Sequence, residues 1–242
     1  MPTAAVIVIG DEILSGKFRD ENGPYLIDRL RTLGCDLKRL LMVPDVVEEI
    51  AAEVRRCADA YDFVFTSGGV GPTHDDVTTE AVALAFGVPV EVRPELVEIL
   101  RRYKVPEDAA TLRMANAPVG AVLVDHAGLR YPVLCMRNVW MFPGIPRLLR
   151  EKFENIAQRF AGEAVRVARV YTTEHETSIA VRLGELAARH PAVAVGSYPR
   201  FGEGAYRVII TLESRDSDAL QRAHLELSGA VDVATLEGAD RA

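Results

Sequence analysis

The sequence is poor in cysteine, and the three it has, Cys35, Cys57 and Cys135, are odd in number, far apart and set among apolar residues. No disulfide framework and no CxxC metal or redox motif can be read from them, so they are expected to be buried thiols. Positive charge is also in deficit: 28 Lys and Arg stand against 35 Asp and Glu, a formal net charge of -7. That balance excludes the basic surface that nucleic acid or an anionic membrane requires. No apolar run approaches the roughly 20 residues of a membrane span, and the opening "MPTAAVIVIG" has no basic segment ahead of its apolar one, unlike a secretory signal. A cytoplasmic location is the expectation. Internal repeats and low-complexity tracts are missing too. What is present, 49% hydrophobic and 26% charged residues over 242 positions, is the composition of a globular chain with a sizeable core.

Hydrophobic patterning divides that chain. "AAVIVI" (4–9) is an unbroken, mostly β-branched run, as in a strand covered on both faces of a parallel sheet. After a loop holding Gly10 and Gly16, "ENGPYLIDRLRTLG" sets Leu26, Ile27, Leu30 and Leu33 at helical spacing, with Pro24 early and Gly34 as the stop. The order repeats with "DLKRLLMV" as strand, "PDVVEEIAAEVRRCADA" as helix, "DFVFT" as a short buried strand and Val77 to Phe86 as helix. Alternating β and α predicts a mostly parallel, doubly wound sheet in an α/β fold. Residues 94–104 and 107–116 read as helical, "AVLVD" as extended, and "VLCMRNVWMF" as a hairpin turning at Arg137-Asn138. Pro146 then starts a helix running to about Phe160. From 163 the order becomes strand, helix, strand, strand, helix, which predicts a small α+β domain at 163–242, ending in a frayed tail, after a main domain at 1–162.

Ligands of a doubly wound sheet bind beyond the carboxyl ends of its strands. Three loops fall there: "GDEILSG" after the first strand, "VPD" after the second and "TSGGVGPTHDDVTTEA" (66–81) after the third. Gly68, Gly69 and Gly71 allow close approach, and the helix that follows can turn its amides to an anion. The loop lacks the Gly-Lys-Ser/Thr of a Walker A motif, and His74 stands where GxGxxG needs its third glycine. A plain strand-to-helix turn would explain the glycines alone. It would not explain two acids. One of Asp75 and Asp76 could cap the next helix, but a second carboxylate repels a phosphate unless a divalent cation lies between them. Asp45 stands three residues before Glu48, the spacing of a capping box, which is the better local reading of it. Asp11 and Glu12 could ligate metal, accept from ribose hydroxyls or form a solvated turn. "FPGIP" (142–146) is a rigid turn that leaves Gly144 free to touch a ligand. His74 could ligate or donate to phosphate, whereas His126, His175, His190 and His224 stand alone. The small domain is not expected to supply catalytic acids, Glu203 being the only carboxylate in its "GSYPRFGEG" loop.

"IGDEILSGK", "GGVGPTHDDVTTEAV" and "FPGIP", in this order and spacing, resemble the MoaB/Mog molybdopterin-binding-like domain at the amino end of CinA proteins. "GPTHDDVT" and "VGSYP" are similar to the amino-terminal part of eukaryotic FAD synthases, and the likeness runs from about residue 5 to 214. The resemblance implies a three-layer α/β/α sandwich that binds a phosphorylated pterin or nucleotide. It places Asp76 and Asp45 at positions that are catalytic in the adenylyltransferases of molybdenum cofactor synthesis. It also implies metal-dependent hydrolysis of a pyrophosphate bond in FAD or ADP-ribose-like substrates, with Mg, Mn or Co as the ion held by Asp75 and Asp76, and a homo-oligomer, dimer or trimer. The phosphate-binding set is Gly10, Asp11, Glu12, Ser15, Gly16, Gly68, Gly69, Gly71, Thr73, His74, Thr78, Pro143 and Gly144. Adenylyl transfer to molybdopterin, or nucleotide retention without turnover, are the alternatives. The deamidase of CinA proteins and the synthase of FAD synthases are expected to be missing from this chain.

Overall fold

The structure, a computed structural model, describes residues 1–105, 108–124, 131–202 and 204–235. His126, Glu203 and most of the tail lie outside the described residues. The chain splits into two compact units, Met1–Glu163 and Ala164–Ala242.

In the first unit β1 (Thr3–Ile9) leads through one helical turn, α1 (Asp11–Leu14), to α2 (Asn22–Thr32). There follow β2 (Asp36–Val43), α3 (Val47–Ala60), β3 (Phe63–Ser67) and α4 (Thr78–Phe86). A ribbon of β4 (Val90–Val92) and β5 (Asn116–Pro118) brackets α5 (Pro94–Arg102) and α6 (Ala109–Arg113). The unit closes with β6 (Val122–Val124), β7 (Val133–Met136), β8 (Val139–Phe142) and α7 (Pro146–Ile156), which tightens into a 3-10 turn at Ala157–Phe160. The main sheet has the order β2-β1-β3-β8-β7-β6. Its first four strands are mutually parallel, and β7 pairs antiparallel with both β8 and β6. The fold is the expected α/β arrangement, with the 133–142 hairpin turning at Arg137 (φ +53°).

β1 shows why its sequence carries no polar alternation. Ala5, Ile7 and Ile9 pack with Ile50 and Val54 of α3 and Ala81 of α4 on one face, while Ala4, Val6 and Val8 pack with Leu26 and Leu30 of α2 and Phe153 of α7 on the other. Both faces are dry, as in a sheet flanked by two helix layers. Three expectations need correction. Ile27 is 40% exposed, because the buried face of α2 runs through Asn22, Gly23, Leu26 and Leu30. The helix read over 107–116 is the short α6, begun by the Asp108 side chain accepting from the Thr111 amide at 2.8 Å. The helix from Pro146 leaves α geometry after Ile156.

The second unit runs β9 (Arg166–Thr172), α8 (Glu176–Arg189), β10 (Ala194–Pro199), β11 (Val208–Ser214) and α9 (Ser217–Ala230). Its antiparallel sheet has the order β10-β11-β9. Val208, Ile210 and Leu212 of β11 bury one face against Ile179 and Leu186 of α8 and Ala223 and Leu227 of α9.

Candidate functional site

Because β1, β2, β3 and β8 are parallel, the loops leaving their carboxyl ends meet at one edge. The Gly10 amide donates to the Val43 carbonyl at 3.2 Å, tying the end of β1 to the end of β2. The Asp11 amide donates to Asp45 Oδ2 at 2.8 Å. That contact overturns the capping reading of Asp45: α3 starts after Val46 with no side-chain cap. Burial pushes the Asp45 carboxyl above its ordinary value. The hydrogen bond from the Asp11 amide opposes that rise, and the charges of Asp11, Glu12 and Asp75 add to it.

The third loop is held backbone against backbone. Gly68 has φ +110°, and a Cβ there would stand 2.2 Å from the Ile9 carbonyl oxygen. A Cβ on Gly144 would come 3.3 Å from Gly68 Cα. Thr78 fixes the loop to α4 through its hydroxyl, which donates to Gly68 O at 2.8 Å, and its amide, which donates to Gly69 O at 2.9 Å. Neither Asp75 nor Asp76 caps α4, which begins after Val77 without a side-chain cap. Asp76 Oδ2 instead accepts from the Thr73 amide at 2.7 Å and the Thr73 hydroxyl at 2.6 Å. The Asp76 carboxylate is thereby fixed beside Gly71, where a Cβ would meet it at 2.7 Å. Among the described residues, no backbone carbonyl accepts from the amides of Gly69, Val70 or Gly71.

These loops enclose a cavity of about 620 Å³, lined by Glu12, Gly68, Gly69, Gly71, Asp76, Pro143 and Gly144. Asp11, Glu12, Ser15, Asp45, His74 and Asp75 line a neighbouring hollow together with Lys17. The adjacent acids Asp75 and Asp76 thus line different hollows, and Glu12 is the wall both share. His74 is almost fully exposed, its Nδ1 3.7 Å from Asp75 Oδ1. Gly10, Gly16, Thr73 and Thr78 line neither hollow. Thr73 and Thr78 act through Asp76 and Gly68, while Gly10 and Gly16 take the positive φ of their turns.

The sequence did not single out Asn22, which also lines the cavity. It is 4% exposed, and its Nδ2 donates to Ser67 Oγ at 2.9 Å and to Gly144 O at 2.7 Å. Its buried Oδ1 has no protein partner. Asp20 holds this turn by accepting from the Asn22 and Gly23 amides. In "ENGP" an Asn at a helix start looks like ordinary helix-end chemistry, and only the fold brings it to β3 and to the loop before α7.

Among the described residues no group of three or more His, Cys, Asp and Glu side chains is gathered for a metal ion. A magnesium-like ion takes one or two carboxylates and completes its shell with water and phosphate oxygens. The residues present fit that demand. Asp76 has Oδ1 outside its bonds to Thr73, and a cation near Asp45 would offset the charges of Asp11, Glu12 and Asp75 that act on it.

Residues 5–162 match the family described as probable molybdopterin binding domain, and residues 164–239 match the FAD synthase middle domain. The chain belongs to the molybdopterin-binding-domain family. It is 32% identical to a probable FAD synthase of Caenorhabditis briggsae over 93% of this chain and 49% of that protein. A CinA-like protein of Mycolicibacterium gilvum is 34% identical over 68% of this chain and 42% of its own length. This chain therefore spans about half the length of the FAD synthase and CinA-like relatives. A protein of Archaeoglobus fulgidus is 32% identical over 90% of this chain and 93% of its own. Among solved structures, the CinA protein of Thermoplasma acidophilum superposes with a TM-score of 0.60 at 26% identity, covering 66% of this chain and 99% of that one. The glycine loop, the acidic hollow and "FPGIP" all lie within the molybdopterin-binding domain. No described helix is long and apolar enough to cross a membrane.

Proposed function

We propose that this molybdopterin-binding-domain protein is a divalent-metal-dependent hydrolase that splits the pyrophosphate of FAD or an ADP-ribose-like dinucleotide into two monophosphates. The observation that carries the reading is Asp76, a carboxylate fixed by Thr73 at the wall of a cavity whose other wall is bare glycine backbone. Bare amides suit phosphate oxygens, and a carboxylate set among them suits the cation that accompanies a diphosphate. The likeness to FAD synthases supports a nucleotide as ligand.

In this reading the amides of Gly69, Val70 and Gly71 hold the phosphate oxygens, and Asn22 keeps Gly144 and Ser67 in place beneath them. Asp76 in this cavity and Asp75 in the hollow beside it would supply carboxylates to the ion, which when bound would neutralise charge building on the phosphates. Asp45, its Oδ2 anchored on the Asp11 amide, receives the proton of the attacking water. The water oxygen bonds to one phosphorus, the bond from that phosphorus to the bridging oxygen breaks, and the bridging oxygen leaves on the other phosphate. Pterins enter as a second class of ligand because the family is described by molybdopterin binding. Incubation with FAD and Mg²⁺, Mn²⁺ or Co²⁺, followed by chromatography, tests the reading. FMN and AMP in equal amounts are expected. Intact FAD with every ion contradicts it, and adenylylated molybdopterin formed from ATP would assign transfer in its place.

A further inference from the structure

The cavity over the glycine loop has a side chamber. The two share the walls Val70, Gly71, Asp76, Met114, Pro143 and Leu148. Past those walls the chamber is closed by Leu134, Met141 and Pro132, with Arg113 and Lys152 as its cationic edge. Arg113 Nη2 donates to the Asp76 carbonyl at 3.1 Å and lies 3.6 Å from Glu80 Oε1, so this guanidinium is committed to the loop and to α4. Lys152, on α7, is committed less fully. Its half-buried Nζ donates to the carbonyls of Tyr131 and Pro132 and lies 5.3 Å from the centre of the Tyr131 ring. An ammonium has three protons to donate, and those two carbonyls take two of them.

Size decides what could enter. The chamber measures about 140 Å³, and an apolar cavity of about 150 Å³ takes one benzene ring. By volume the chamber matches one ring, a fused second ring would reach toward the walls shared with the larger cavity, and a three-ring isoalloxazine exceeds it. The methionines Met114 and Met141 offer polarizable contact to an aromatic face. We infer that the chamber holds the base of the substrate, a planar one- or two-ring heterocycle, with the third Lys152 proton donated to a ring nitrogen or carbonyl on its edge. This rests on the phosphate site proposed above and deepens it: FAD would enter by its adenylate, and the other half of the dinucleotide would go unread. A purine and a pterin share the required edge chemistry.

Burial lowers the Lys152 pKa to about 8, against the opposing charge of Glu151 beside it. Across the chamber it faces Asp76, Glu80, Arg113 and Tyr131. Base recognition should therefore weaken as pH rises through about 8 and beyond.

The test compares monophosphates that cannot be hydrolysed at a pyrophosphate. Calorimetric titration with AMP, a pterin monophosphate, FMN and ribose 5-phosphate, all with Mg²⁺ at pH 7, isolates the base, because ribose 5-phosphate lacks it. Wild type should bind AMP or the pterin at least roughly tenfold more tightly than ribose 5-phosphate, the scale of one charge-assisted hydrogen bond. FMN should show no such gain, and the tighter of the first two identifies the ring. Lys152→Met should close the gap and leave ribose 5-phosphate unchanged. In the wild type, independently of any variant, the gap should shrink between pH 7 and pH 9.5. A gap that persists in Lys152→Met, or is flat across that pH range, overturns the inference while leaving the phosphate site standing. Wild type that binds none of the four contradicts the proposed site itself, and this inference with it.

Discussion

Asp45 carries opposed demands on one side chain. Its carboxyl is held above the ordinary value by burial and by the charges of Asp11, Glu12 and Asp75. A group of this kind takes up a proton more readily in the folded chain than in the unfolded one, so its ionisation costs stability. The cost is absent below the unfolded pKa, near 4 for Asp, and complete once pH exceeds the raised folded value. Asp45→Asn keeps an oxygen for the Asp11 amide and removes the charge. The variant should melt at a higher temperature than wild type at pH 7, the difference should vanish near pH 3.5, and turnover should fall. Melting curves at the two pH values check the sign. At this scale the sequence was legible in residue type and illegible in partner. Asp45 read better as a cap and Asp76 could be read as one, and what removed both readings was a pair of donors, the Asp11 amide 34 positions away and the Thr73 side chain within a turn that no local rule specifies. Asn22 and Lys152 carried no signal at all, since each looks like an ordinary helix residue until the sheet brings β3 and β7 to it.

At the scale of elements, α4 does not hold its own amino end. It lacks a side-chain cap and is pinned to the glycine loop by Thr78, whose fully buried hydroxyl serves the Gly68 carbonyl. Thr78→Val keeps the shape and leaves that carbonyl without a donor, a cost of roughly 1–3 kcal/mol. A fall of several degrees in melting temperature should follow, about 2–4 °C for each kcal/mol in a chain of this size. An unchanged melting temperature would mean that the loop is held by its glycine contacts alone. The long elements were legible because their burial is continuous or strictly periodic, as in β1 and in α3, whose Ile50, Val54 and Cys57 face the sheet. The one-turn α1 and the β4-β5 ribbon were not, because "DEIL" and "VEV" are too short and too exposed to show a period.

For the whole molecule, composition was the better guide. A hydrophobic half pointed to a chain with a sizeable core, and the two units each bury a core of their own. All the residues assigned to phosphate and metal sit in the first unit, at the edge where four parallel strands end. If Asp76 serves a cation and a phosphate together, three quantities measured on Asp76→Asn reveal it: metal-dependent hydrolysis of FAD, nucleotide affinity without metal, and melting temperature. The Asn oxygen can still accept from the Thr73 amide and hydroxyl, so the turn should survive and the melting temperature should hold. Hydrolysis should fall by orders of magnitude, and metal-free affinity should hold or tighten, because the repulsion between carboxylate and phosphate has gone. Hydrolysis at the wild-type rate by a stably folded Asp76→Asn would contradict the account.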